Sequence, residues 1–302
     1  MGTATRLGGF LAALALVLGG GWGLGVLAGP IARASAGPVV TPTPTPDAGT
    51  DMAGMDMSGS QPGDDTRTDL GTSGLAANVQ GWTLVPLTPT LTPAVPLDLA
   101  FAVVDGSGAR VTAFPAAPVV TVVRRDGAGF QTLAPAVAPD GTWHAPLRLP
   151  APGVYRMIAD LGGAVLGADV FAPGDFAPQP QAPTRVAEVD GFQVRLDGDL
   201  VPGEPSQVFA TVSRAGVPVA DLQPYGGAFG RLVTLRDGDL AYRVAGPGDG
   251  RAPAPAPGDR SGPAVAFTTI VPSAGIYRLY LQFQEGGTVH TAAFGVVTRV
   301  VR

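Results

Sequence analysis

The stretch LPAPGVYRMIADL at 149 to 161 returns as VPSAGIYRLYLQF at 271 to 283, with Gly-x-Tyr-Arg at the same place in each. A chain that writes one strand-entering phrase twice is constrained to contain two copies of one folded unit. The copies extend upstream. VVTVVRRDGAGFQTLAP at 119 to 135 matches RLVTLRDGDLAYRVAGP at 231 to 247 in length, so that Arg124 meets Arg236, Phe130 meets Tyr242 and Pro135 meets Pro247. Further upstream, LDLAFAVV (97 to 104) followed by DGSGARV parallels QVFATVS (207 to 213) followed by RAGVPVADL. These are short apolar or alternating runs cut by Gly, Pro and Asp, with no sustained 3.6-residue period, and they predict strands and turns.

The Pro-x-x-Gly-x-Tyr approach to a long strand resembles the tyrosine corner of immunoglobulin-like sandwiches, in which the phenol bonds nearby backbone and pins a strand crossover. Tyr155 and Tyr277 are the candidates. Where an immunoglobulin domain has a cysteine two residues on, this chain has Met157 and Leu279, apolar fillers on the same face. About seven strands per copy fit a Greek-key sandwich of roughly a hundred residues. The expected fold is all-β, two tandem immunoglobulin-like sandwiches at 79–173 and 187–302, joined by a Pro-rich linker at 174–186 that contains QPQAPTR.

Ahead of them stand a leader, 1–36, and a tether, 37–78. Residues 8 to 32 carry no charge, enough to span a bilayer as a helix, and Arg6 favours a cytoplasmic N-terminus. Ala32-Arg33-Ala34 and Ala34-Ser35-Ala36 also offer signal-peptide cleavage patterns. The expectation is therefore a single-pass membrane protein with extracytoplasmic domains, or alternatively a secreted one. The tether opens with TPTPTPDAGT, a stiff polyproline-type spacer, and is expected to be disordered. Between Gly37 and Leu70 it sets six aspartates against Arg67 alone, a local charge equal to the net −5 of the whole chain. Such a run reads first as a solvated tether and second as a collector of cations.

Composition excludes several functions. There is no cysteine, hence no disulfide frame, thiolate metal site or cysteine nucleophile. All 19 basic residues are Arg, and they are scattered, so no basic patch for nucleic acid can be built. Within the tether, DMAGMDMSGS places Met52, Met55 and Met57 in an acidic setting. Thioether sulfur suits Cu(I), and the segment resembles methionine-rich stretches of bacterial copper-handling proteins, although those usually also contain His.

At the phrases in residues 219 to 247 and in SAGIYRLYLQFQEGGTVHTAAF, the sequence resembles a poorly characterised family of bacterial membrane-anchored envelope proteins found in copper and heavy-metal contexts. The resemblance covers residues 80 to 298. It implies that both copies of the repeated phrase begin with His and end in His-x-His-Pro, a spacing that could gather imidazoles on neighbouring strands for copper or zinc. Here those positions hold Val119, Thr132 and Ala134 in the first copy and Arg231, Val244 and Gly246 in the second. None supplies an imidazole, so the family's metal expectation does not carry to the two sandwiches.

The two histidines are not equivalent in the repeat. His144 alternates with Trp143 and Ala145 and is expected at the surface; His290 shares a face with Phe294 and is expected to be partly buried and hydrogen-bonded. Glu occurs only at 188, 204 and 285, and neither a nucleophile elbow nor a triad context is visible. The sequence thus points to a non-enzymatic, membrane-tethered binding or adaptor protein whose partner is another envelope protein or a metal-delivery system, with Met52, Met55 and Met57 as the only nameable ligands, for Cu(I). A copper chaperone or resistance factor using the tether is the second reading. An envelope hydrolase is the third, and it needs a convergent carboxylate pair between the domains.

Overall fold

The computed structural model describes residues 73–248 and 253–299. The leader, Met52, Met55, Met57 and the tether up to residue 72 lie outside the described residues. Among those described there is no helix, and hence none long and apolar enough to cross a membrane. Strands form where apolar runs lie between turn residues, as at Asp105, whose carboxylate accepts the amides of Ser107 and Ala109 and closes the turn after one of them.

The first copy contributes β1 (Asn78–Val79), β2 (Trp82–Pro86), β3 (Leu97–Val104), β4 (Val119–Arg124), β5 (Gln131–Leu133), β6 (Ala136–Val137), β7 (Trp143–Leu147), β8 (Gly153–Asp160) and β9 (Val165–Ala172). One sheet runs β1-β2-β3-β7-β6 and the other β5-β4-β8-β9. The second copy contributes β10 (Val186–Val189), β11 (Phe192–Asp197), β12 (Pro205–Arg214), β13 (Val217–Pro218), β14 (Arg231–Arg236), β15 (Tyr242–Val244), β16 (Gly246–Pro247), β17 (Ala264–Ile270), β18 (Ile276–Glu285) and β19 (Thr288–Val297). Its sheets run β10-β11-β12-β17-β16, with β13 on β12, and β15-β14-β18-β19. Lettered in chain order, each copy is an A-B-E-D sheet facing a C′-C-F-G sheet, so the chain folds as two tandem immunoglobulin-like β-sandwiches. The registers also repeat. Thr121 lies opposite Thr132 and Ile158, and its counterpart Val233 lies opposite Val244 and Tyr280.

Each sandwich has its own core. In the first, Leu99, Phe101, Trp143 and Leu147 meet Val120, Val122, Tyr155 and Met157; in the second, Phe192, Val208, Ala210 and Phe267 meet Leu232, Tyr277, Leu279 and Phe294. Met157 and Leu279 are fully buried, and burial of one such side chain is worth roughly 1.5–3 kcal/mol. A third cluster joins the copies. Val123 and Ile158 of the first pack against Val233, Leu235, Leu240, Tyr242 and Tyr280 of the second, so the two C′-C-F-G sheets cover each other's outer faces. That explains two strand types. β11 and β12 alternate buried and exposed residues, whereas β4, β8, β14 and β18 are buried along nearly their whole length because both faces are covered.

Candidate functional site

The repeated phrase builds the seam between the sandwiches. At the end of β4, Arg124 is 1% exposed and grips Asp126 with two bonds, Nε to Oδ1 at 2.8 Å and an η nitrogen to Oδ2 at 2.7 Å. It also donates to the carbonyls of Pro152 and of Ala177 in the linker. Burial pushes the Asp126 carboxyl up, but bonds from Arg124 and from the amides of Gln179 and Ala128 outweigh it and hold the group at about 2. In the second copy Arg236 closes the corresponding turn on Asp239, whose carboxylate also accepts the Ala241 amide.

Each turn reaches across to the other sandwich. Tyr280 stacks on Phe130 with centroids 4.1 Å apart, and its phenol donates to the Gly127 carbonyl at 2.5 Å. Gly127 has a φ of 83°, and a Cβ there would strike the Arg278 side chain, so glycine is required twice over. In the other direction Arg125 donates to the Asp239 carbonyl at 3.4 Å. The charges are arranged differently in the two copies. Arg278 pairs with Asp237 at 2.9 Å, on the position that Arg125 holds in the first copy. There Arg156, the counterpart of Arg278, and Arg125 instead share Asp169, at 3.1 and 2.6 Å, on the position that Gly295 holds in the second.

Residues 73–77, ahead of the expected sandwich start at 79, are stitched into this seam. The Ser73 carbonyl accepts the Tyr242 amide, Gly74 donates to Val165, and Gly167 donates to Ala76. A Cβ at Gly167 would overlap the Gly74 carbonyl. The linker after β9 is tied as well, through Gln179 to Asp126 and Gln181 to Arg278.

Beyond the seam, the outer face of β8 and β9 continues into an open apolar cleft of about 600 Å³ lined by Val154, Phe171, Pro173 and Phe176, with Arg125 at its edge. Phe171 and Phe176 are 50% and 53% exposed. The Arg124 guanidinium lies 5.2 Å from the Phe176 ring centroid, and Gly153 leaves room for both, since a Cβ there would meet each.

The residues singled out by sequence fall as follows. The Tyr155 phenol donates to the Ala151 carbonyl at 2.7 Å and that of Tyr277 to the Ser273 carbonyl at 3.0 Å, in each case four residues upstream. His144 lies beside Asp98 on the surface at 2.6 Å. His290 is buried between Phe192 and Phe283, with Nδ1 2.7 Å from Asp190. Val119 and Thr132 share the seam face with Arg231 and Val244: Val119 pairs with Asp160, which lies 3.9 Å from Arg231. Ala134 and Gly246 stand beyond β5 and β15, where the chain crosses to the opposite sheet, and both are exposed. Among the described residues no three His, Asp or Glu side chains are placed to hold a metal ion. The sequence reading missed the seam and the Phe171–Phe176 cleft.

A family model described as a domain of unknown function (DUF8832) matches residues 187–300, the second sandwich. No curated protein matches the chain. Among solved structures the chain is similar to FdeC, an Escherichia coli adhesin, at 14% identity over 74% of this chain and 65% of that one, with a TM-score of 0.25. It is also similar to E. coli alpha-2-macroglobulin activated by porcine elastase, at 16% over 72% and 20%, TM-score 0.25. A third is InvD of Yersinia pseudotuberculosis, at 13% over 73% and 58%, TM-score 0.25. The chain spans less than two thirds of each of these three, and the strand order, rather than these likenesses, carries the fold.

Proposed function

We propose that this chain is a non-enzymatic binding and adaptor protein of the cell envelope, held to the membrane by residues 8–32 and presenting its two sandwiches as one rigid platform. The observation that carries the reading is the pair of half-exposed phenylalanines, Phe171 and Phe176, in an apolar cleft continuous with the seam. Solvent-facing aromatic clusters on a fixed scaffold are what interfaces are built around. The partner is an envelope protein that inserts an aliphatic or aromatic side chain into this cleft. A photo-crosslinking residue at Phe176 of the full chain, in intact envelopes, tests this against the same residue at exposed Val217 on the second sandwich. One protein crosslinked from 176 and not from 217, and lost on Phe171→Ser, is the expected result. Equal labelling from both positions contradicts the reading.

The second reading, copper carriage by the tether, is favoured by the thioethers of Met52, Met55 and Met57. A Cu(I) competition titration of the full chain and of its Met52→Leu, Met55→Leu, Met57→Leu variant separates the two, since tight binding lost in the variant makes the sandwiches a platform for the tether.

A further inference from the structure

One buried polar cluster in the seam is left incomplete by its protein neighbours. Its centre is Arg231, whose side chain is 12% exposed. The other arginines at the seam each have a carboxylate within 3.1 Å: Arg125 and Arg156 share Asp169, and Arg278 has Asp237. The nearest carboxylate to Arg231 is Asp160 at 3.9 Å, beyond hydrogen-bond reach. One η nitrogen of Arg231 donates to the Tyr242 phenol at 2.7 Å, while its Nε has no partner in the protein.

The surroundings share this deficit. Thr121, fully buried, has its hydroxyl against the Tyr242 phenol, and Thr132 lies opposite it on β5, where its own hydroxyl lacks a protein partner. Gln282, 4% exposed and opposite Arg231 on β18, has its amide oxygen unpartnered too. Arg231 Nε, the Thr132 hydroxyl and the Gln282 amide oxygen, all buried and without a protein partner, are thus linked through Tyr242 and Thr121 along one stretch of the seam. Buried polar groups are nearly always satisfied, so such a concentration marks a site completed by something other than the protein. The chemistry is one-sided. Arg231 Nε and the two threonine hydroxyls can all donate, the amide of Gln282 can turn its NH2 inward, and burial raises the Tyr242 phenol so that it stays neutral and can donate onward. Half-buried Tyr225 lies beside Arg231, and a Cβ at the following Gly226 would come within 2.9 Å of the Arg231 Cβ.

We infer that this cluster is a binding site for a small oxyanion, a single phosphate or carboxylate group held by Arg231 and the hydroxyls of Thr121, Thr132 and Tyr242. Asp160, 28% exposed at its rim, opposes the ligand by like charge and weakens the site without closing it. The site straddles both copies, so the anion bridges the sandwiches.

Calorimetric titration of the full chain with inorganic phosphate and, separately, with acetate tests the inference and tells the two anions apart. The expected result is one site per chain for at least one of them. Arg231→Gln should weaken it about tenfold or more, as loss of a charge-assisted bond requires. Asp160→Asn should tighten it severalfold, and because the two variants move in opposite directions, a folding defect cannot mimic the pattern. Absence of binding of either anion to the native chain, or binding that survives Arg231→Gln unchanged, overturns the inference.

Discussion

Arg124 carries its charge into a nearly dry environment, and it does so because Asp126 meets it with two bonds and the linker supplies a carbonyl. A buried ion pair of this kind contributes through geometry: removing one partner leaves the other charged and unpaired. The Asp126 carboxyl is held at about 2, below the 3.8 usual for aspartate. A folded-state value below the unfolded one means that the stabilisation is complete above pH 4 and is lost as the pH falls toward 2. The shift corresponds to about 2 kcal/mol. Asp126→Asn should therefore lower stability by about that amount at pH 7, and chemical denaturation at stepped pH should show the gap to the native chain closing between pH 4 and 2. A gap that stays constant across that window would show that the Asp126 charge is not what the clamp uses.

The same clamp shows what the sequence could say. Arg124 and Arg236 were legible as matched positions and the RDG turns as turns, because turn chemistry is local. Their pairing with linker residues Ala177 and Gln179, and the nearness of Arg231 to Asp160 of the other copy, were not, because they depend on which outer face of the sandwich is covered.

At the scale of elements, that coverage was written in the strands themselves. VVTVV in β4 and IYRLYLQF in β18 are apolar or bulky at consecutive positions, as strands buried on both faces must be, while FQVRL in β11 and SQVFATV in β12 alternate. The difference was visible, but a continuous run also fits the middle of an ordinary sandwich, so it did not by itself reveal a second packing partner. The paired sheets then solved one electrostatic problem twice, by different residues. Arg278 on β18 is neutralised from the turn after β14, by Asp237, whereas Arg156 on β8 is neutralised from β9, by Asp169. Asp169→Gly gives the first copy the glycine that the second has, and leaves Arg156 and Arg125 facing each other. A loss of about 2 kcal/mol in thermal or denaturant unfolding is expected. Adding Arg125→Asp rebuilds the second copy's arrangement and should recover most of that loss, a coupling that a double-mutant cycle measures directly. Independent, additive effects of the two substitutions would mean that the two arrangements are not equivalent.

At the largest scale, among the described residues, the two sandwiches are joined face to face. The linker is hydrogen-bonded on both sides, residues 73–77 bridge both sandwiches, and Tyr280, Phe130 and Tyr242 lie in the middle of the seam. These contacts place the Phe171–Phe176 cleft on the same packed unit as the second sandwich. The sequence announced two copies and a Pro-rich connection, the usual signature of loosely coupled domains. Side chains spread over the faces of both sheets made them one body.

Because the chain has no cysteine, a pair introduced at exposed Val137 and Val217, one on each sandwich, can be spin-labelled without background. Pulsed electron resonance between the labels is the most direct test of the single rigid body. One narrow distance distribution is predicted, and it should broaden when Tyr280→Ala removes the centre of the seam. A broad or multiple distribution in the otherwise native chain would contradict the account and return the two sandwiches to independent motion about their linker.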